Sequence, residues 1–241
     1  MRFRFTLWPT VVSVPAFIIL LGLGTWQVQR LHWKENLIAE RTARTTAAPI
    51  ALPQASEHLS PAELDDLDFR RATATGEFRH DQEMYLAART MEGAVGYQIV
   101  TPLQLADGSA VLVNRGWVPD IRKDPAKRAD GQVSGTVTID GAIRAPGVQH
   151  WLQPDNEPER NIWFWNDLPA MAVHAGIPPD HLVPVFLEAG PAPNPGGLPI
   201  GGQTHVTLPN DHLQYAITWY ALAVGLAVIF LVYHREQKPT A

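Results

Sequence analysis

"LQYAITWYALAVGLAVIFLVY", residues 213–233, has no charged side chain, and Thr218 is the only polar group in its interior. At 1.5 Å per residue, about 20 helical residues cross a bilayer core of roughly 30 Å. The stretch therefore predicts a transmembrane helix over 211–233. A second uncharged run, from Phe5 to Gln29, stands near the other end of the chain. It predicts a transmembrane helix over 7–28, with Pro9 and Pro15 interrupting its early turns. "MRFR" resembles the basic start of a signal peptide. However, the apolar run is long, and no Ala-x-Ala site follows "LLGLG" before the charges begin at Arg30. An uncleaved anchor is the expectation, and the two helices then form a hairpin with both ends on one side.

Charge near the helices leaves the orientation open. Arg2 and Arg4 precede the first helix, and His234, Arg235 and Lys238 follow the second. Arg30, Lys34, Arg41 and Arg44 lie just beyond the first helix, on the opposite face. Long domains translocate largely regardless of charge, so the short basic ends, 1–6 and 234–241, are expected in the cytoplasm. The intervening residues 30–211 carry 15 Lys/Arg and 23 Asp/Glu, a net of −8, which argues against nucleic acid as a partner. The chain has no cysteine, which excludes disulfides, iron–sulfur clusters, thiolate zinc sites and c-type haem attachment. Only six residues precede the first apolar run, leaving no room for a mitochondrial transit peptide, and the bacterial cytoplasmic (inner) membrane is the expected setting.

Residues 29–48 read as a helical extension, with Leu31, Lys34, Leu37, Ile38 and Arg41 at helical spacing. From 49 to 188 the pattern changes to short stretches rich in Val, Ile, Thr and aromatics, such as "VGYQIVTPLQL" and "AVLVNRGWV", punctuated by Gly, Asp and Pro. "LADGSA", 105–110, signals a hairpin, since Asp107-Gly108 can take the positive φ angles of a tight turn. The fold class is α+β: two transmembrane helices bracketing a mostly antiparallel β domain of six or seven strands, with one or two short helices. Its closure, as barrel or sandwich, is not legible here. "NIWFWNDLPAMAVHAGI", 161–177, reads as a strand or turn entering a short helix capped by Asn166 or Asp167. "AGPAPNPGGLPIGG", at the start of 189–210, reads as a semi-rigid linker.

No catalytic constellation emerges. The nine histidines fall in no compact metal-ligand spacing, and no nucleophile elbow or phosphate loop is present. Asp155, Glu157 and Glu159 alternate as a solvated acidic turn would. Aromatics do accumulate around the helix ends: Trp26 and Trp33, then "NDHLQYAITWY", 210–220. An interfacial belt accounts for such rings. A ligand site is the alternative, because His212, Tyr215 and Trp219 fall on one helical face, and a neutral imidazole beside aromatic planes suits haem iron. Gln214, Thr218, Ala221 and Gly225 fall on another face, suited to close packing against Gly22 and Gly24 of the first helix.

"LGLGTWQVQRLHWKENLI" (21–38), "VNRGWVP" (113–119), "WFWNDLPAMA" (163–172) and "GGQTHVTLPNDHLQYAITWYALA" (201–223) together resemble the surfeit locus protein 1 family. These are assembly factors of cytochrome c oxidase. The resemblance implies a non-enzymatic protein with both termini cytoplasmic and a large periplasmic domain. It implies as partners the haem-bearing subunit of a terminal oxidase, haem a synthase and membrane lipid. It further implies a transient haem a site with His212 as the iron-associated residue, beside Tyr215 and Trp219. Asp211 stands where the family commonly has asparagine. Arg115 of "NRGW" could pair with a propionate, or serve a strand-to-turn transition. A haem-free scaffold that grips the nascent oxidase subunit is the alternative function. A membrane-tethered enzyme would need convergent titratable groups deep in the β domain.

Overall fold

In the computed structural model the described residues are 6–55, 57–204 and 208–235. Arg2, Arg4 and Lys238, counted above for orientation, lie outside them, as do residues 205–207 of the expected linker. Contacts divide the chain into two units, Met1–Glu40 with Val206–Ala241, and Arg41–His205.

The first unit is the helical hairpin. Helix α1 spans Leu7–Thr46 without a break, so the expected membrane span and its extension are one helix of 40 residues, about 60 Å long. Pro15 lies inside it and does not interrupt it. Pro9 falls in the first turn, where a missing N–H has no intrahelical acceptor to lose. Helix α4 spans His212–Tyr233. Both helices are long and apolar enough to cross a membrane, and the chain reads as a two-pass membrane protein. Their apolar side chains stay largely exposed, among them Ile18, Ile19, Val224, Ile229 and Val232. Such an all-round apolar surface is stable only when lipid covers it.

The second unit is a β barrel with additions. Seven strands follow in chain order: β1 Arg71–Phe78, β2 Met84–Met91, β3 Ala94–Leu105, β4 Ala110–Pro119, β5 Thr136–Arg144, β6 Ile162–Trp163 and β7 Leu182–Ala189. Their order in the sheet is β1-β5-β7-β4-β3-β2-β6, and β1 also pairs with β3. That extra pairing, Gly76↔Leu105 to Phe78↔Leu103, closes five strands into a barrel. The 12-residue β3 makes this possible, because its first half pairs with β2 and its last residues with β1. Two pairings, β4–β7 and β2–β6, are parallel and the other five antiparallel, so the domain is mostly antiparallel as expected. The "LADGSA" turn forms as expected, though only Gly108 takes a positive φ, at 87°. Asp107 instead accepts hydrogen bonds from the Ser109 backbone and hydroxyl.

Two cores lie on opposite faces of the barrel wall. Val111 and Val113 of β4, with Leu103, Ile143, Val183, Val185 and Leu187, fill the interior. Ala110 and Leu112 point the other way, with Met84, Leu86, Trp163 and Phe186, under helix α3, Leu168–His174. β4 is therefore buried on both faces, and a strand so placed reads as a continuous apolar run rather than an alternation. Full burial of a Leu- or Phe-sized side chain stabilises by about 1.5–3 kcal/mol before entropic costs. Asp167 caps α3, accepting from the Ala170 N–H at 3.1 Å, with Pro169 in the first turn. Helix α2, Pro61–Leu67, starts with a Ser60/Glu63 capping box, and Arg44 donates to the carbonyls of Asp65, Asp66 and Asp68 at its end.

The segment expected as a linker is docked on this unit. Trp117 and Ile200 exchange both backbone hydrogen bonds, at 2.9 and 2.8 Å. Gly116 permits that approach: its φ is +118°, and a Cβ there would lie 2.0 Å from the Ile200 carbonyl oxygen. Register slips by one residue at this point, Ile99↔Gly116 but Val100↔Asn114, so Arg115 is the extra residue of a β-bulge.

Candidate functional site

The site is built where α4 begins. His212 is its first residue, and its Nδ1 lies 2.6 Å from Oε1 of Gln27 on α1. An amide oxygen only accepts, so Nδ1 carries the proton and Nε2 keeps its lone pair. Gln27 is one of two buried residues of α1; Gly24 is the other. The Tyr220 ring lies over Gly24, where a Cβ would come within 2.7 Å of it, and the Tyr220 hydroxyl is 3.0 Å from Thr25 Oγ1. Ala216 and Ala223 complete the contact face of α4. His212, Ala216, Tyr220 and Ala223 recur at spacings of three and four, the stripe that one helix presents to another.

This differs from the expected faces in two ways. His212 belongs to the packing seam rather than to the outward face. Gln214, Thr218, Ala221 and Gly225 are not the packing set: Thr218 Oγ1 bonds back to the Gln214 carbonyl, and a Cβ added at Gly225 or Gly22 would meet no other element within 4 Å. The reason is that small size alone does not select a seam when a polar pair and a ring seated on glycine compete for it. Tyr215 is exposed and Trp219 half-buried at the seam edge. His212 thus meets Gln27, while no ring contact joins His212, Tyr215 and Trp219 among the described residues. Gln27 was missed in the sequence, where "TWQVQR", 25–30, sets it beside Thr25, a second amide at Gln29, and Arg30.

The far end of the seam has a second histidine. His234 follows α4 and is buried, with Nδ1 2.8 Å from the Phe230 carbonyl and Nε2 2.7 Å from Thr6 Oγ1. Nδ1–H donates, so Nε2 accepts from the threonine hydroxyl, and both ring nitrogens are used within the protein.

The other quoted motifs serve the barrel. Arg115 is 1% exposed. Its guanidinium donates to the Gly131 carbonyl, lies 4.6 Å over the Phe78 ring, and approaches His80 Nδ1 at 3.4 Å. Burial lowers it to about 10. Sealed in this way, Arg115 does not reach a propionate. Beside it, Arg128 forms a buried two-point ion pair with Glu83, and its Nε and Nη2 also donate to the Arg122 and Lys123 carbonyls. Trp163 of "WFWNDL" is fully buried, its indole N–H donating to Asn161 at 3.0 Å.

Residues 14–224 match the model of the SURF1 family. The chain is 42% identical over 235 residues to a SURF1-like protein of Monosiga brevicollis, covering 92% of this chain and 85% of that protein. It is 41% identical over 234 residues to Surfeit locus protein 1 of Rattus norvegicus, covering 90% of this chain and 73% of the relative. The human Surfeit locus protein 1 is 40% identical over 236 residues, 91% of this chain and 74% of its own. With matches of this extent, the chain belongs to the SURF1 family.

Proposed function

We propose that this protein is an assembly factor for a haem–copper terminal oxidase, holding haem a as cargo at His212 and passing it to the haem-bearing subunit. The observation that carries the reading is the His212–Gln27 pair. An imidazole that ligates a metal typically donates its other ring N–H to a fixed acceptor, which sets the tautomer and raises ligand basicity. His212 does this through Nδ1, donating to Gln27 Oε1, so Nε2 is the nitrogen that would be offered to iron. Bound there, the porphyrin would supply a Lewis-acidic iron and a broad apolar plane. Trp219 at the seam edge and the exposed Tyr215 ring offer aromatic surface of the matching kind. A single histidine at the helix seam would hold a hydrophobic cargo while leaving it free to depart.

The setting proposed is the bacterial inner membrane, with both termini cytoplasmic and the β barrel periplasmic. No step requires bond making in the cargo, so the protein acts as a chaperone rather than an enzyme. The test is the visible spectrum of the protein purified from cells that make haem a. Wild type should carry the pigment and His212→Ala should lose most of it; equal haem content in the two would refute the assignment.

A second reading, a haem-free scaffold that grips the nascent subunit, is favoured by one loop. Trp151 is 90% exposed, beside Val148 at 78% and Leu152 at 75%. Such a tip offers an aromatic anchor to a protein partner. Under this reading, oxidase subunits co-purify with the protein even when haem a synthesis is abolished.

A further inference from the structure

One side of the barrel unit holds a cavity of about 370 Å³ whose walls are mainly polar. Three guanidiniums line it, from Arg41, Arg89 and Arg144, against two carboxylates, Asp68 and Glu188. The carboxylates are already engaged. Arg144 takes both, Nε at 2.9 Å from Asp68 and Nη1 at 3.3 Å from Glu188. Asp68 also accepts from the Ala145 N–H, and Glu188 from the Thr204 hydroxyl. Burial opposes the charge on Arg144, yet Glu188 and Asp68 outweigh it and raise its pKa.

Arg89 is placed differently. Its strand carries a bulge between Leu86 and Arg89, with Ala88 at a φ of +54°, and a bulge of this kind re-aims the side chain that follows it. Its guanidinium makes two long hydrogen bonds, to Gln98 Oε1 at 3.3 Å and the Phe164 carbonyl at 3.4 Å. No carboxylate forms an ion pair with Arg89 or Arg41 among the described residues. Burial lowers the Arg89 pKa and the Glu188 charge, not paired with it, offsets only part of this, so its charge is held at a cost that a closer counter-ion would relieve. Arg41 instead lies 4.6 Å over one face of Phe69, and Arg144 lies 4.2 Å from the same ring. Trp117 also lines the cavity, its indole N–H fixed to the Arg89 carbonyl at 3.1 Å.

We infer that this cavity binds a small organic oxyanion, a carboxylate or phosphate ester, whose paired oxygens dock on the Arg89 fork. The volume exceeds that of a bare ion and matches small-molecule sites. Guanidinium matches two adjacent acceptor oxygens geometrically. The aromatic walls favour an anion with an apolar or ring portion. His212 takes no part, so this site and the haem reading stand or fall separately.

The test titrates the full chain in detergent, at constant ionic strength in chloride, with phenyl phosphate and with benzoate. A third arm reconstitutes it in nanodiscs of phosphatidylcholine with and without phosphatidylglycerol, which distinguishes a lipid headgroup from a soluble ligand. Saturable binding in any arm is expected, weakened at least about tenfold by both Arg89→Gln and Arg89→Lys. Arg71→Gln, which breaks the exposed Arg71–Asp140 pair, should leave it unchanged. Arg89→Lys keeps the charge and removes the fork, so it decides the matter if Arg89→Gln fails to fold. Binding absent from all three arms, or unaltered in the folded Arg89 variant, overturns the inference.

Discussion

His212 and His234 stand at opposite ends of one helix, and both turn toward α1. At His234 both ring nitrogens are consumed, one by a carbonyl of its own helix and one by Thr6. At His212, among the described residues, only Nδ1 is engaged, by Gln27. A buried polar group whose valences are all satisfied internally acts as structure. One left with a directed, unused lone pair is available for chemistry. The same distinction separates Arg128, paired at two points with Glu83 and bonded to the Arg122 and Lys123 carbonyls, from Arg89, which among the described residues hydrogen-bonds only an amide and a carbonyl oxygen and feels Glu188 without pairing with it.

The sharpest way to break this comparison is to attack a saturated pair. Glu83→Gln leaves the Arg128 guanidinium buried without its counter-charge, since both side chains are almost wholly sealed. Removing one partner of such a pair costs about 3–5 kcal/mol. Thermal unfolding of the purified chain should show that loss, and the haem content of the protein that remains folded should not change. A Glu83→Gln protein that kept its stability but lost pigment would show that saturation is no guide to role.

The next effect is smaller and tests the two seam ends against each other. Gln27→Ala removes the acceptor that fixes the His212 tautomer, and such supporting partners typically contribute 10–100-fold to metal affinity. Haem retention during purification should fall accordingly, while Gln27→Glu, which keeps an acceptor oxygen, should restore it. His234→Ala should do the reverse, lowering the unfolding temperature in detergent while the pigment stays. Interhelical hydrogen bonds within membranes contribute on the order of 0.6 kcal/mol each, so that shift is modest.

Local chemistry made much of this readable from the chain. Uncharged runs announce membrane helices because length and solvation alone decide them. The Asp107–Ser109 turn and the Asp167 cap follow from side chains reaching their own backbone. What stayed hidden depends on partners far apart in sequence. Closure of the barrel rests on Phe78 meeting Leu103 across a strand that first serves β2. Arg115 is a bulge residue only because Gly116 lets Ile200 pair with Trp117, across more than eighty residues. His212 was legible as a candidate, yet its partner Gln27 lies 185 residues away, and no helical periodicity within α4 could point to it.

A third histidine gives the smallest and most specific prediction. His80 donates from Nε2 to the Val133 carbonyl at 2.9 Å, so its Nδ1 faces the Arg115 guanidinium as an acceptor. Burial lowers its pKa below the usual 6.5, the Arg115 and Arg128 charges push the same way, and the Val133 bond and Glu83 only partly oppose them. The fold therefore prefers neutral His80, and the unfolded chain binds the extra proton first. Stability from this group is complete above about pH 6.5 and declines as pH falls from there toward the folded value. His80→Gln keeps a donor for Val133 but does not titrate. Urea unfolding at about pH 7 and pH 5 should thus show a smaller acid loss in the variant than in wild type. An equal loss would mean that Nδ1 accepts a proton freely beside Arg115, and that His80, like His212, has a valence to spare.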